Sequence, residues 1–513
     1  MRLCPQEAIV YRWVMFSRSL FVHNVSMANT SIPFSTPSDV VTARSVPRSA
    51  SAIAVAVRSS GAVPRMVGMS RRALERHGFA GEVGQSVVIP RRDGATVIAV
   101  GVGERPSSGD LRDAAAVAVR NAQRHQDVAL DLLSTGSSNS ADARAVTEGA
   151  LLAAYRYPGI TAKPDTQPRF ASLTIVTSGA AAVERGVREG EVRSRATYLA
   201  RDLANTPPAH LNARDLEAIV ADLAPTHGFD VEVFDENDLE EMGCGGLLGV
   251  NKGSVEPPRL MRLTYTPRNP RGHVALVGKG VMYDSGGISL KPSDAFHVVM
   301  KMDMSGAAAV LSTMTALKDL RCRNQVTGYI VCTDNMPSGS AMKLGDVLTM
   351  RNGKTVEVHN TDAEGRLILA DGLSLAVEDK PEAIIDIATL TGAAMAALGP
   401  DIAAVLGTGS KVVEQLIKSA EATGEPIWEM PLEKARYRKL LDSNVADMRN
   451  IGGPYAGCIT AAIFLSEFTA DVPWAHLDIA GTMKVDGDES WRSKGATGFG
   501  TRLLIDAVTN WSA

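Results

Sequence analysis

Residues 360–366 read NTDAEGR and set Asp362, Glu364 and Arg366 within five positions. A second charged stretch, GKGVMYDSGGISLKPSDAFHVVMKMDMSGAAAV over 278–310, carries Lys279, Asp284, Lys291 and Asp303 around Gly-rich turns. Asp303 is the informative residue, because it heads an otherwise apolar, Ala-rich run. A carboxylate buried there without a partner would be strongly destabilising, so it must be paired with a cation or bound to a metal. Four carboxylates converging on one crevice repel one another and cannot all stay ionised unaided. Divalent cations would relieve them. With hard oxygen ligands and neither an HExxH helix nor an HxH pair, such ions would be Mn²⁺, Mg²⁺ or Zn²⁺. Two ions roughly 3.5 Å apart form an arrangement used for hydrolysis at a shared activated water. A metal-free salt-bridge network, with Lys279, Lys291 and Arg366 facing the four acids, would relieve them as well. Residue types and spacing leave both readings open.

The elements that must position these groups follow from periodicity. TVEVH, 355–359, alternates as a strand does, and RLILADGLSLAVED has a helical pattern starting at Arg366, so NTDAEGR occupies a strand-to-helix loop. The 278–310 stretch also follows a buried apolar run, HVALVG at 273–278. In open α/β sheets, ligands bind in the crevice at the carboxyl ends of the strands. Further strand-like runs are FDVEVFD (229–235), RLMRLTY (259–265), GYIVCT (328–333) and AIIDIATL (383–390). Continuous apolar runs of this kind suit central strands covered on both faces. Upstream, SAIAVAV (51–57), ATVIAVGVG (95–103) and SLTIVTSG (172–179) alternate with Ala-rich helical stretches such as 111–125. Asn212 stands where an N-cap should, ahead of LEAIVADLA.

The expected fold is α/β with two domains, each a mainly parallel or mixed sheet flanked by helices, the larger C-terminal one catalytic. The expected divisions are a disordered arm over 1–48, an N-terminal domain over 49–183, a linker helix over 184–204 and a catalytic domain over 205–513. The arm lacks Lys and is rich in Ser, Thr and Arg. Its apolar stretch AIVYRWVMF is split by Arg12, which argues against a secretory signal, while the acid-poor composition is compatible with a transit peptide or with a start at Met27.

With 513 residues, 45% hydrophobic, the chain can bury large cores, and its net charge of −4 offers no electrostatic footprint for nucleic acid or an anionic membrane. No run reaches the length of a membrane helix. Five cysteines without CxxC spacing disfavour a disulfide framework and a thiolate zinc site, which makes the reducing cytoplasm the expected compartment. His273 and His476 lie in apolar strands and read as core or supporting histidines. Cys458 reads as a packed thiol, and the GVG at 101–103 lacks a full dinucleotide fingerprint.

NTDAEGRL together with VGKGVMYDSGGISLKP resembles the signature of the leucyl aminopeptidase family, the two-metal cytosolic aminopeptidases. Further matches are ARDLANTPP (200–208), DNMPSGSAMKLGDV (334–347), DIATLTGA (386–393), SNVADMRNIGG (443–453), WAHLDIAGT (474–482) and GATGFGTRLL (495–504). The resemblance implies removal of N-terminal residues, leucine and other apolar ones preferred, by attack of a metal-bridging hydroxide. It implies that Asp284 and Glu364 bridge two divalent ions, Mn²⁺ or Zn²⁺ with Mg²⁺ or Co²⁺ as alternatives. Lys279, as a neutral amine, and Asp303 would complete the tighter site, and Asp362 the more exchangeable one. Lys291 would polarise the scissile carbonyl. Arg366, with backbone groups of Gly365 and Leu390, would hold a bicarbonate that shuttles a proton. Met300, Thr389 and Gly392 would line the pocket for the first side chain. The segment from Lys291 to Asp303 is one residue longer than the family pattern, with the extra residue near Phe296 and His297, which bears on Met300 more than on Asp303. Peptide substrates and a homohexamer of two stacked trimers are also implied. Some bacterial members bind DNA, a role that the acidic balance of this chain argues against.

Overall fold

A computed structural model of the chain describes residues 32–512, apart from 93 and 136–138. Of the stretch expected to be a disordered arm, 1–31 lie outside the described residues, and the remainder is built into the fold. Val40–Ala43 pair in parallel with Leu173–Val176, and Ile32 is buried in the core of the second sheet. Four residues between Pro- and Ser-rich flanks are too few to show strand alternation, so pattern reading misses this strand.

The first sheet has six strands in the order Val40–Ala43, Ser172–Val176, Asp127–Asp131, Ala52–Val57, Thr96–Gly101, Ser86–Pro90. All neighbours are parallel except the last pair. Ser107 caps the helix Ser108–Asn121 through a reciprocal bond with Asp110, the pattern that satisfies otherwise orphaned amides of a first turn. The helix read at 184–204 runs from Ala181 to Asn205 and leads to the second sheet. Asn212 does cap the next helix, Ala213–His227, with Asp215 returning the bond.

The second sheet has eight strands, ordered Ile427–Glu429, Ala403–Gly407, Trp474–Asp478, Ala383–Ala388, His273–Asp284, Gln325–Asn335, Arg259–Tyr265, Asp230–Phe234. The central four are parallel and the flanking pairings are mixed. Side chains of His273–Asp284 alternate between faces. Val274 and Leu276 join the core that includes the helix Ser305–Ala316, whereas Ala275 and Val277 join the core on the other face, with the helix Gly365–Glu378. Burial on both faces is why these strands read as unbroken apolar runs. Gly306 lets its helix press against the sheet, since a Cβ there would lie 2.1 Å from the Ile387 carbonyl oxygen.

Gln325–Asn335 follows His273–Asp284 in sequence and lies on one side of it, while Ala383–Ala388 lies on the other. Strand order therefore reverses at His273–Asp284, which opens a crevice at the carboxyl ends of these strands. Both charged stretches lead into that crevice.

Candidate active site

Lys279 sits inside the central strand and is 2% exposed. Its Nζ lies 2.8 Å from Asp303 Oδ2 and 2.9 Å from Glu364 Oε1, and it donates to the Thr389 carbonyl at 2.9 Å. Gly365 makes room for it, because a Cβ at 365 would stand 2.6 Å from Lys279 Cε. Asp284 ends the same strand. Lys291, returning from the Gly286–Gly287 turn, places Nζ 2.7 Å from Asp284 Oδ2 and 2.6 Å from Asp362 Oδ1. One oxygen each of Asp284, Asp362 and Glu364 lies within 4.8 Å of the others. Asp303 joins them through Lys279. The site is graded in exposure: Lys279, Asp284, Asp303 and Glu364 are buried, whereas Asp362 and Lys291 face the opening.

The electrostatics follow from burial. Burial alone would weaken the hold of Lys279 on its proton, but Asp303, Glu364 and Asp284 more than reverse this and raise its pKa. Lys291 is raised in the same way by Asp284, Glu364 and Asp362. Burial pushes the pKa of Glu364 up, with repulsion from Asp284 adding to it, and pushes Asp303 and Asp362 up as well. Two ammonium groups thus serve four carboxylates. Arg366 reaches none of them. Its Nη1 donates to the Asn450 carbonyl at 2.7 Å, its Nε is buried without a partner among the described residues, and burial lowers its pKa to about 10. The salt-bridge reading therefore holds for Lys279 and Lys291 but not for Arg366. Even with Arg366 counted, the crevice keeps one more anion than it has cations. Hard carboxylate donors clustered with surplus negative charge fit divalent cations, and a neutral Lys279 becomes favourable only when cations displace its proton from between Asp303 and Glu364.

Models of two family domains match the chain: "cytosol aminopeptidase family, catalytic domain" over residues 198–505 and the same family's N-terminal domain over 59–164. The chain belongs to the cytosol aminopeptidase family. Among curated relatives, the probable cytosol aminopeptidase of Aquifex aeolicus is 38% identical over 452 residues, covering 86% of this chain and 91% of its own. That of Streptomyces avermitilis is 42% identical over 458 residues, covering 84% and 87%. Among solved structures, the bottromycin maturation enzyme BotP in complex with Mn aligns with a TM-score of 0.82 at 38% identity, over 90% of this chain and 99% of that one. A mutant of tomato leucine aminopeptidase aligns at 0.84 and 30% identity, over 94% and 99%. This cytosol aminopeptidase family member is thus a metal-dependent N-terminal exopeptidase, and the family's two-metal chemistry fits the acidic cluster.

The remaining expected residues fall into two groups. Thr389 touches the cluster, its Oγ1 donating to Asp303 Oδ1 at 2.7 Å. Leu390 and Gly392 continue the same turn, with Gly392 open to solvent. Met300 is 4% exposed and packs in the main core beside Met302 and Met304. His476 is buried and bonds Asp386 at 2.6 Å, His273 bonds Thr327, and Cys458 is buried, so none of the three enters the carboxylate cluster.

Sequence reasoning missed the residues that hold the loops. Asn335 Nδ2 donates to Asp284 Oδ1 at 2.8 Å and to the Thr361 carbonyl at 3.0 Å, tying the two charged stretches together. Asn450 accepts from the His359 and Asn360 amides and donates back to the Asn360 carbonyl, which fixes the start of NTDAEGR. Asp478, 1% exposed, accepts from Thr391 Oγ1 at 2.6 Å and from the amides of Leu390, Thr391 and Ala480 at 3.2–3.3 Å. Polar residues ending apolar strands were the available signal, at Asn335 in GYIVCTDN and at Asp478 in WAHLD.

Proposed function

We propose that this chain removes N-terminal residues, leucine and other apolar ones preferred, from peptides, and that Lys279, Asp284, Asp303, Asp362 and Glu364 hold its two metal ions. The observation carrying this reading is the surplus of buried carboxylate over ammonium in one crevice at a topological switch point. When bound, the ions supply Lewis-acid polarisation and a water of lowered pKa. Asp284 and Glu364 would be shared between the two ions, as the family resemblance implies. Lys279 and Asp303 complete the enclosed site, and Asp362 the outer one, a division supported by the greater exposure of Asp362.

The chain's own groups do the rest. Lys291, freed from Asp284 and Asp362, donates to the scissile carbonyl oxygen and stabilises the charge that develops there. Arg366, at the start of the helix Gly365–Glu378 and with an unpartnered Nε, offers an anion slot suited to bicarbonate, together with backbone groups of Gly365 and Leu390. Thr389 and Gly392 form the wall for the first side chain, whereas Met300 packs in the core. With the ions bound, a free terminal amine would be held beside them, which would restrict cleavage to one end of the peptide. The working assembly is a homohexamer and the compartment the cytoplasm, as the family resemblance implies; among the described residues no helix is long and apolar enough to cross a membrane.

The test is turnover of Leu-p-nitroanilide by chelator-treated protein, resupplied in turn with Mn²⁺, Zn²⁺, Co²⁺ and Mg²⁺. Activity should vanish on chelation and return with at least one ion, Mn²⁺ or Zn²⁺ most effectively. Full turnover in stripped protein would overturn the reading, and light scattering that gives a monomer would overturn the hexamer.

A further inference from the structure

At the amino ends of the central parallel strands, on the edge of the sheet opposite the carboxylates, lies a cleft of about 490 Å³. Arg268, Arg271, Lys318, Arg321 and Arg323 line it, and no acidic side chain does. The nearby acids are committed elsewhere. Asp319 pairs with Arg195, Asp379 with Arg262, and Glu382 accepts the Trp511 indole N–H. Lys318 donates to the Thr226 carbonyl, and none of the four arginines has an ion-pair partner among the described residues.

The cluster is assembled from two separate segments. Arg268 and Arg271 come from the connection between two strands of the sheet, Arg321 and Arg323 from the turn after the helix Ser305–Ala316. The Arg271 amide donates to the Arg323 carbonyl at 2.9 Å and holds the segments side by side. Arg321 adopts a left-handed φ of 53°, a conformation in which glycine or asparagine is at ease and arginine gains nothing locally. Complementing the helix C-terminus could account for a single cation, since the dipole there amounts to roughly half a charge. It does not account for five, two of them on another segment.

We propose that this cleft binds a compact polyphosphate, an anion with the size and charge of inorganic triphosphate or of the triphosphate tail of a nucleotide. Guanidinium groups match phosphate oxygens in a two-pronged geometry that a lysine cannot reproduce. These side chains are exposed, so a singly charged anion would be held weakly against screening, and several linked charges are needed for useful affinity. The cations gather around one cleft, which favours a compact ligand over an extended phosphodiester backbone. The volume lies within the range of small-molecule sites.

The experiment is calorimetric titration of the metal-loaded full chain with sodium triphosphate, ATP and orthophosphate at low and physiological salt. Two variants are compared, Arg268→Glu with Arg271→Glu, and Arg321→Glu with Arg323→Glu, each checked by thermal melting. Triphosphate should bind saturably, one per chain, with orthophosphate at least about tenfold weaker and the affinity falling as salt rises. Each variant pair should weaken triphosphate by about tenfold or more while leaving Leu-p-nitroanilide turnover unchanged. Equal affinity for ATP and triphosphate would identify the source as free polyphosphate, and tighter ATP binding as a nucleotide. Absence of saturable binding would overturn the proposal. So would binding that survives both variant pairs, which places the anion on the metal centre, or duplex DNA that outcompetes triphosphate and is lost in the same variants.

Discussion

Replacing Glu364 by Gln separates a metal-binding carboxylate from a structural one, because the two roles predict opposite changes in stability. In the metal-free fold, burial and then Asp284 push the pKa of Glu364 up to about 8 from 4.5. A group raised in this way contributes stability that is complete below pH 4.5 and is lost as pH climbs through about 8. At pH 9 the ionised side chain costs the fold at most ~5 kcal/mol relative to the unfolded chain, at about 1.4 kcal/mol per tenfold change in proton affinity. Glutamine keeps the volume and an oxygen for Lys279, now 2.9 Å away, and sets an amide donor against Asn335 Nδ2, at present 3.5 Å from Oε2. That mismatch costs ~1 kcal/mol. The metal-free variant should therefore exceed the wild type by ~2–4 kcal/mol at pH 9, the gain shrinking as pH falls and turning into a deficit of ~1 kcal/mol near pH 4.5. The same variant should lose ~10³-fold or more of Leu-p-nitroanilide turnover and bind Mn²⁺ poorly. Urea unfolding in chelator at pH 5, 7 and 9, alongside the turnover assay, measures both. A variant less stable than the wild type at pH 9, with turnover intact, would make Glu364 a member of a stabilising salt-bridge network and refute the reasoning.

Lys291→Ala should lower kcat by ~10²–10³ with KM little changed, since its ammonium acts on charge that develops only in the transition state; steady-state kinetics decide it. Gly365→Ala sets a Cβ 2.6 Å from Lys279 Cε, so it should destabilise by ~1–3 kcal/mol and weaken Mn²⁺ binding, read by melting and by metal titration. Asp478→Asn places an amide against the donors of Leu390 and Thr391. Because the same turn holds Lys279 and Asp303 through Thr389, kcat/KM should fall by ~10-fold while the far-ultraviolet dichroism of the fold persists; unchanged kcat/KM would show the turn to be held without it.

Local pattern reaches far in this chain. The loop between Thr355–Glu357 and Gly365–Glu378, the strand at 273–278 and the cap at Asn212 all follow from residues close in sequence, because periodicity and capping are local interactions, whereas the continuation of that strand to Asp284 was not read. The strand Val40–Ala43 was not legible. Its partner lies more than 130 residues away at Leu173–Val176, and four residues carry no period of their own. Met300 has the type and position for a pocket wall, yet it packs among core methionines, a choice that depends on neighbours from other elements.

The sequence by itself singled out the groups proposed for the chemistry: five metal-ligand candidates, a lysine and an arginine, carried on two stretches whose acids at strand ends and loop heads have no local reason to be there. Tertiary structure alone decided how those charges are shared. Lys279 meets Asp303, Glu364 and Thr389 across separations of 24 to 110 residues, and Asn335, Asn450 and Asp478 hold the loops. Arg366 is left free of every acid it was expected to neutralise. Charge compensation depends on distances of about 3 Å between groups remote in the chain, and only the folded sheet sets those distances.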